Sequence, residues 1–181
     1  MTTIDLSAHC RVRIWINELP LAAFPPEDCF CKNLQLSGSR APIVRAAAVE
    51  YIKRVGPRSL YGLLGGVFTS LELPEFRLEV NIADECSVLF SDNLAKSKDA
   101  VYVGLPREYL KAIEEGFSIA GQTLLPLFQG SFKLTCAAHH PIASCGAVYK
   151  SLLLRLVQLL KLPTADPSQQ ELMALFSKSF C

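Results

Sequence analysis

The chain has almost no excess of charge of either sign. Its 18 lysines and arginines are balanced by 17 aspartates and glutamates, which leaves a formal net charge of +1 at pH 7. Proteins that bind nucleic acid mainly through the backbone phosphates usually carry a clear basic excess. The balance therefore disfavours bulk nucleic-acid binding as the main activity.

The sequence also lacks the segments that direct proteins to membranes. Residues 1–5 have neither the basic region nor the apolar region of a secretory signal peptide. The densest apolar run, at residues 152–160, is interrupted by Arg155 and Gln158 and is shorter than a membrane span. The seven cysteines are scattered and odd in number, which is typical of reduced thiols in a protein without a signal peptide. We therefore expect a cytoplasmic protein that does not bind membranes.

Motifs for nucleotides and cofactors are absent as well. The glycine-containing stretches at residues 37–40 and 62–66 lack the lysine and the spacing of the phosphate-binding Gly-x-x-x-x-Gly-Lys-Ser/Thr loop, which argues against a P-loop GTPase. Cys29 and Cys31 are one residue apart, a spacing that fits neither a zinc knuckle nor a thioredoxin-type pair, and we expect two core thiols. The sequence predicts no cofactor and no metal.

Apolar residues, in contrast, are abundant. They make up 50% of the 181 residues, which is enough for one domain with a sizeable core. We expect a single α+β domain at residues 1–163 and an appended helix within residues 164–181. An alanine-rich segment at residues 42–55 predicts a helix, and residues 59–66 predict a glycine-containing loop.

Alternation of apolar and polar residues predicts the strands. The clearest case is residues 76–82, and a first strand is expected at residues 11–19. Shorter strands are predicted at residues 67–73, 87–90 and 100–103, and a short edge strand within residues 29–36.

Residues 103–149 form the most informative stretch of the chain. Pro106 suits the first position of a helix, because that position needs no N–H donor. Tyr109, Ile113 and Phe117 then recur at the spacing of one helical face. Gly121 is expected to end this helix.

A strand and a second helix follow in the same stretch. Residues 126–136 alternate in polarity and predict a strand with one buried face, which carries Phe128, Gly130, Phe132, Leu134 and Cys136. The chain must turn before Pro141, and Ser144 is predicted to cap the next helix.

The C-terminal part predicts two helices. Residues 147–161 have apolar side chains around most of the helical circumference. Such a helix either lies at the centre of the fold or places its outer face against a partner, as in a homo-oligomer. Ser168 is expected to cap a last helix at residues 169–177.

Three features together resemble domain IV of translation elongation factor G. They are Gly-Leu-Pro-Arg-Glu-Tyr-Leu-x-Ala-Ile-Glu-Glu-Gly at residues 104–116, a strand that begins at Pro126, and His140-x-x-x-Ser144-x-x-x-x-Tyr149-Lys150. The resemblance covers about a quarter of the chain and extends to a core at residues 75–163 if the strand near residue 76 is included.

The resemblance implies an α+β fold of the ribosomal protein S5 domain 2-like class. It implies a sheet with helices on one face and a β-α-β crossover of the rare left hand, to which residues 1–74 would add strands and a helix. In that family the tip loop after the proline-led strand enters the ribosomal decoding site. His140 matches the tip histidine and Ser144 the first serine. Ala143 and Cys145 replace an acidic residue and a second serine, and the tip is largely apolar.

The candidate binding residues therefore lie at this tip, which we expect to be an exposed recognition surface: His139, His140, Pro141, Ser144 and Cys145. Cys136 and Cys145 could add metal ligands to the histidines, although adjacent histidines rarely point at one ion. Cys145 could also be a nucleophile at a helix N-terminus, activated by His140.

Two hypotheses about function remain open. The first is a non-catalytic binding module that presents the tip to a protein or to structured RNA, including the ribosome. The second is a small enzyme that uses His140 and Cys145, with or without a metal. The fold class hosts both roles and does not decide between them.

Overall fold

The computed structural model describes residues 1–35, 42–71, 75–84, 86–95, 100–123 and 128–177. Within these ranges the chain forms eight strands, three α-helices and a 3₁₀ turn at Arg107–Tyr109. The strands are β1 (Thr2–Ser7), β2 (Cys10–Ile16), β3 (Asp28–Gln35), β4 (Ala46–Val55), β5 (Arg58–Thr69), β6 (Glu75–Ile82), β7 (Tyr102–Val103) and β8 (Gly130–His139). The helices are α1 (Leu110–Thr123), α2 (Gly146–Leu160) and α3 (Gln169–Ser177). The fold is α+β, as the sequence predicts.

All eight strands belong to one mixed sheet. Its order is β1-β2-β4-β5-β8-β6-β3, and β7 pairs with the C-terminal end of β8. Neighbours run antiparallel except β6 and β8, which are parallel and are connected through β7 and α1. Parallel neighbours require such a crossover, and the predicted β-α-β unit is present. β1 has no counterpart among the predicted strands, and the rare hand of the crossover stays a prediction.

The helices cover one face of the sheet. Side chains from all three helices contribute to a larger core, whereas the smaller core contains no helix residue among those described. Consecutive residues of β4 divide between the two: Ala47 and Val49 belong to the larger core and Ala48 to the smaller one. Successive side chains of a strand point to opposite faces, so the two cores lie on opposite sides of the sheet.

Helix α2 lies at the centre of the larger core. Nine of its 15 residues are buried, and it contacts β4, β5, α1 and α3. The chain itself therefore covers the apolar circumference of α2. The structure thus shows α2 at the centre of the fold, and a homo-oligomer through an apolar helix face stays a prediction.

The predicted helix at residues 42–55 is wrong, because the segment forms the central strand β4 between β2 and β5. Residues 47–51 are buried without interruption. A strand that is covered on both faces shows no alternation of polarity. An alanine-rich strand of this kind therefore has the sequence pattern of a helix. Small residues also permit close strand contact here: a Cβ built on Gly65 would lie 2.5 Å from the Ala48 Cβ.

The predicted loop at residues 59–66 is also wrong, because all eight of its residues belong to the 12-residue strand β5. The glycines of this segment serve packing and not a turn. A Cβ on Gly62 would lie 2.8 Å from Val148 Cγ1 of α2, and a Cβ on Gly66 would lie 2.3 Å from the Lys133 carbonyl oxygen. The glycines thus let α2 and β8 approach the strand closely.

A β-bulge in β8 changes the predicted pattern of its side chains. Gly66 pairs with Leu134 and Gly65 pairs with Cys136, which leaves Thr135 as the extra residue. Leu134 therefore belongs to the larger core and Cys136 to the smaller one. The prediction that all alternate residues from 128 to 136 share one buried face holds only up to the bulge.

Other predicted strands have different limits. The first, predicted at residues 11–19, is β2 and ends at Ile16, and the strand predicted at residues 100–103 is β7, which has two residues. β8 begins at Gly130, and its predicted start at Pro126 lies outside the described residues. The strand predicted at residues 67–73 begins within the end of β5, which reaches Thr69, and residues 72 and 73 lie outside the described residues. Residues 87–90 contribute an isolated bridge to β7 in place of a strand.

Strand β3 confirms the predicted edge strand but not the expected burial of its cysteines. Phe30 and Leu34 are half-buried and pack against the larger core. Cys29 and Cys31 have the opposite parity and are exposed. The prediction of two core thiols is therefore wrong, because no segment that the structure describes covers the half-face of the sheet that they share.

The helix ends agree in part with the predictions. α1 continues two residues past Gly121, where a Cβ would lie 2.6 Å from Leu34 Cδ1, so this glycine serves packing and not termination. α3 has the predicted cap: Ser168 Oγ accepts from the Glu171 N–H at 3.3 Å, and the Glu171 carboxylate accepts from the Ser168 N–H at 2.7 Å.

Candidate functional site

The candidate site is built around the turn that connects β8 to α2, residues 140–145, which we name the His140 turn. Its backbone is closed by Ser144, whose N–H donates to the His140 carbonyl oxygen at 3.0 Å. The Ser144 Oγ accepts from the His140 N–H at 2.9 Å. A proline in the second position restricts the chain further. The turn is therefore closed by two hydrogen bonds between its ends.

The imidazole of His140 is part of this scaffold. Its Nδ1 accepts hydrogen bonds from the backbone N–H groups of Ile142 and Ala143, both at 3.1 Å. The ring is buried, with 6% of the residue exposed. The expectation that both histidines are exposed at a tip therefore fails for His140, because its ring points inward and ties the turn together. In the neutral ring the proton is carried by Nε2, as the hydrogen-bond network assigns it.

Strand β5 anchors the His140 turn from outside. The Tyr61 N–H donates to the Ala143 carbonyl oxygen at 2.9 Å, and the Ser144 hydroxyl donates to the Tyr61 carbonyl oxygen at 2.8 Å. Both hydrogen-bonding functions of the Ser144 side chain are thus used. The prediction that Ser144 caps α2 is wrong for this reason, and Cys145 occupies the cap position without a side-chain hydrogen bond.

The apex of the turn is exposed and apolar. Pro141 and Ile142 lie at the surface, and 86% of Ile142 is accessible. Beside the apex is a cavity of about 550 Å³ between the turn and the β4–β5 hairpin. The cavity is lined by Ile52, Pro57, Arg58, Ser59, Leu60, Tyr61, Ala95, His140, Ile142, Ala143, Ser144 and Cys145. Three of the five predicted site residues therefore meet at one cavity, with Pro141 on the adjoining surface.

His139 does not line this cavity. Its ring lies near those of Tyr102 and Tyr109, with centroid distances of 6.0 and 6.5 Å, and its Nδ1 is 3.4 Å from the Gly104 carbonyl oxygen. Partial burial lowers the pKa of His139, against a smaller raising effect of that carbonyl. The two adjacent histidines therefore have separate partners, as expected for consecutive residues at a strand end.

Cys145 is half-buried and lines the cavity at the N-terminus of α2. The first turn of that helix carries no acidic residue. In the described ranges, no group of three or more histidine, cysteine, aspartate or glutamate side chains is arranged to hold a metal ion. The described residues with polar side chains that line the cavity are thus Cys145, Ser59, Ser144, Tyr61, His140 and Arg58, and the rest of the described lining is apolar.

A buried ionic cluster lies behind the cavity and was not predicted from the sequence. The Tyr61 hydroxyl and the Leu94 N–H donate to Glu50 Oε1 at 2.8 and 2.7 Å, and Arg13 Nη1 is 3.5 Å from Glu50 Oε2. Glu50 is fully buried. Burial raises its pKa to about 7, although the hydrogen bonds and Arg13 act in the opposite direction. Arg13 also contacts Asp92 at 3.1 Å.

The sequence pattern does not distinguish Glu50 from a glutamate on the exposed face of a helix. The groups that surround its carboxyl come from other strands and from a loop, which are distant in the sequence. The tertiary arrangement alone makes it a buried acid. The signal that could have found it is a single charged residue within the apolar run at residues 46–52, which would be a costly position unless the charge were paired.

In the part of the chain that the structure describes, no helix has both the length and the apolar character needed to cross a bilayer.

The comparisons with known proteins add no relative. Comparisons of the chain with protein-family models, with curated proteins and with solved structures found no match.

Proposed function

We propose that the chain is a non-catalytic binding module that presents the His140 turn and the adjacent cavity to a protein partner. The observation that carries this proposal is Ile142, an isoleucine that is 86% exposed on a turn fixed by hydrogen bonds. Burial of one isoleucine side chain stabilises a complex by about 1.5–3 kcal/mol. Because the turn is ordered before binding, little of that free energy is lost to ordering it.

The composition of the cavity favours a protein over RNA. Among the described residues that line it, Arg58 is the only one with a charged side chain, and most of the others are apolar or small. RNA recognition usually needs several cations along the backbone or exposed aromatic rings for stacking. An apolar side chain of a protein partner, placed in the cavity beside Ile142, fits these walls better.

The resemblance to domain IV of elongation factor G supports the same region as the working surface. We propose that the unit from β6 to α2 is a divergent relative of that domain, with the S5-like fold and its left-handed crossover. The His140 turn would then correspond to the tip loop of the factor. An apolar apex would replace the polar tip, and the partner would have changed from ribosomal RNA to protein. The thiols of the chain favour a reducing compartment, and the cytoplasm is the proposed location.

An affinity experiment with matched variants tests this proposal. Wild-type protein, Ile142→Asp and Leu21→Asp would each be used to capture proteins from extracts of the cells that produce the chain. Leu21 is a suitable control, because it is 97% exposed and lies away from the cavity lining. We expect a protein that wild type and Leu21→Asp retain equally and that Ile142→Asp binds about tenfold or more weakly. Equal retention by all three would contradict the proposal.

The same experiment distinguishes a protein partner from an RNA partner. If capture is lost after nuclease treatment and falls steeply with added salt, the partner is RNA and the interaction is electrostatic. Loss of the captured protein in Ile142→Asp without any effect of nuclease supports the protein partner.

The second candidate is an enzyme with Cys145 as nucleophile, favoured by the position of this thiol at a helix N-terminus in the cavity. His140 is poorly placed as its base. Its Nδ1 accepts two backbone N–H groups, and Nε2 then carries the proton. Alkylation of Cys145 across a pH series distinguishes the two. An ordinary thiol profile supports the binding module, and a thiolate that is reactive well below neutral pH supports the enzyme.

A further inference from the structure

A second cavity lies next to the cavity of the His140 turn. It has a volume of about 230 Å³ and shares two lining residues, Ile52 and Ala95, with the first cavity. Both shared residues pack against the smaller core, so the two cavities lie on the side of the sheet that the helices do not cover. The other walls of the second cavity come from the β1–β2 hairpin and the end of β4, and they include Arg11 and Arg54. We name the two adjoining cavities together the Ile52 groove.

The strand pairing gives the direction and the length of the Ile52 groove. Asp5 of β1 is opposite Arg11 of β2, Arg11 is opposite Ile52 of β4, and Ile52 is opposite Tyr61 of β5. Side chains that are directly opposite in paired strands share one face, and all four residues line one of the two cavities. Strands lie about 4.8 Å apart, so this row spans about 14 Å. The groove therefore crosses the strands over the length of about four extended residues.

The two ends of the Ile52 groove differ in chemistry. At one end, the exposed side chain of Ile142 lies beside apolar wall residues. At the other end lie the exposed residues His9, Arg11 and Arg54. Arg54 is two residues after Ile52 in the same strand, so its side chain is on the groove face. One end of the groove is thus suited to an apolar side chain and the other to an anionic one.

The charges of the Ile52 groove are complementary to an acidic ligand. The guanidinium groups of Arg54 and Arg58 form no hydrogen bond or ion pair with any residue that the structure describes. The only acidic side chain in the described lining is that of Asp5, and Arg11 already binds it at 2.5 Å. A guanidinium binds a carboxylate through two parallel hydrogen bonds. Arg54 can therefore bind an acidic side chain without losing a partner in the described part of the chain.

We propose that the Ile52 groove binds an extended peptide segment of a protein partner, with an apolar side chain in the cavity of the His140 turn and an acidic side chain on Arg54. This inference rests on the function proposed above and adds to it the class of peptide. The two side chains would be two to four positions apart, because that separation spans about 7–14 Å in an extended chain. Among the described lining residues of the charged end, none is a phenylalanine, tyrosine or tryptophan that could stack RNA bases.

A peptide library tests the inference with a defined probe. The library consists of capped seven-residue peptides of random sequence without cysteine, and it is equilibrated with the immobilised full-length protein. We expect the retained peptides to share an apolar residue and, two to four positions from it, an aspartate or a glutamate. One retained peptide, synthesised with a fluorescent label, then gives the Kd for wild type and for each variant by anisotropy.

Variants with reversed charge provide the matched comparison. Arg54→Glu should bind the labelled peptide about fivefold or more weakly than wild type. The same variant should regain affinity when lysine replaces the acidic residue of the peptide, which a misfolded protein would not do. Lys111→Glu makes the same change in charge at an exposed position of α1, on the opposite side of the sheet, and should bind as wild type does. Ile142→Asp should bind the peptide weakly in every case.

The results distinguish this inference from the function on which it rests. Retained peptides that depend on Ile142 but lack a shared acidic residue, or that Arg54→Glu binds equally well, would overturn the inference and leave the binding module intact. Peptides that Ile142→Asp binds as tightly as wild type would contradict both. A library without any retained peptide would also overturn the inference.

Two other occupants of the Ile52 groove would be recognised in the same assay. A uridine homopolymer that binds more tightly than any library peptide, and loses affinity in Arg54→Glu, would assign the groove to RNA. Self-association of the wild-type protein that Arg54→Glu abolishes would assign the groove to a second copy of the chain. Either result would overturn the inference of an acidic peptide.

Discussion

The buried carboxyl of Glu50 should make the stability of the fold depend on pH in an unusual direction. Its pKa is raised from an ordinary value of 4.5 to about 7, because burial penalises the charged form more than Arg13 and the hydrogen bonds favour it. The folded chain therefore holds this proton more tightly than the unfolded chain. The stabilising contribution is fully present below the unfolded pKa and is lost as the pH rises through the folded pKa.

The size of the effect follows from the same shift. At about 1.4 kcal/mol per pH unit, it corresponds to about 3 kcal/mol between about pH 4.5 and pH 7. The groups that face the carboxyl are Arg13, Asp92, the Tyr61 hydroxyl and the Leu94 N–H. Gln at position 50 keeps an acceptor for the last two and does not titrate. The free energy of unfolding of Glu50→Gln should therefore gain about 3 kcal/mol relative to wild type from about pH 5 to about pH 8.

Urea unfolding at a series of pH values measures this difference. Glu115→Gln is a suitable control, because that glutamate is half-exposed at 50% and pairs with Lys150 at the surface. Its curve should run parallel to that of wild type. A constant difference between Glu50→Gln and wild type across the whole series would refute the assignment of Glu50 as a buried acid.

Three further predictions concern the turn, the sheet and His139. Ser144→Ala removes the hydrogen bonds to His140 and Tyr61 and should lower the free energy of unfolding by about 1–3 kcal/mol; an unchanged urea midpoint would show that they contribute nothing. Gly66→Ala places a methyl group 2.3 Å from the Lys133 carbonyl oxygen, so we expect a loss of about 1–3 kcal/mol or more, and wild-type melting would contradict the close contact. Burial lowers the pKa of His139, so its contribution is present above the unfolded pKa and lost as the pH falls; His139→Gln should lose stability less steeply in acid than wild type, as thermal melts would show.

Elements with a single buried face could be predicted from the sequence. β6, α1 and α3 have the periodicity of strands or helices with one side in the core, and each appears where the pattern predicts it. β2 also appears, because Arg11 and Arg13 keep its polarity alternating, although Arg13 and Trp15 on its second face are buried. α2 is correct as well, because its apolar circumference fits a helix covered on all sides. The prediction fails where burial is two-sided, as in β4, or where glycine serves packing, as in β5. In both strands the neighbours that decide the structure are distant in the sequence.

The sequence predicted which residues meet at the candidate site, but not how they are arranged there. His140, Ser144 and Cys145 do meet at one cavity. Their roles differ from those expected: His140 ties the turn from within, and Ser144 binds β5 in place of capping α2. The exposed element is Ile142, which the sequence pattern did not single out. Tertiary hydrogen bonds decide which side chain of a turn points outward. The periodicity of the sequence carries no information on these hydrogen bonds.

The binding proposal depends on a His140 turn that is ordered before any partner arrives. Amide hydrogen exchange of Ile142 and Ala143, followed by NMR, measures this directly, because both N–H groups donate to His140 Nδ1. We predict that both amides exchange far more slowly than those of an unstructured peptide, although the Ile142 side chain lies in solvent. Exchange of both at the rate of an unstructured peptide would mean that the turn is not fixed, and the proposed binding surface would not exist in the free protein.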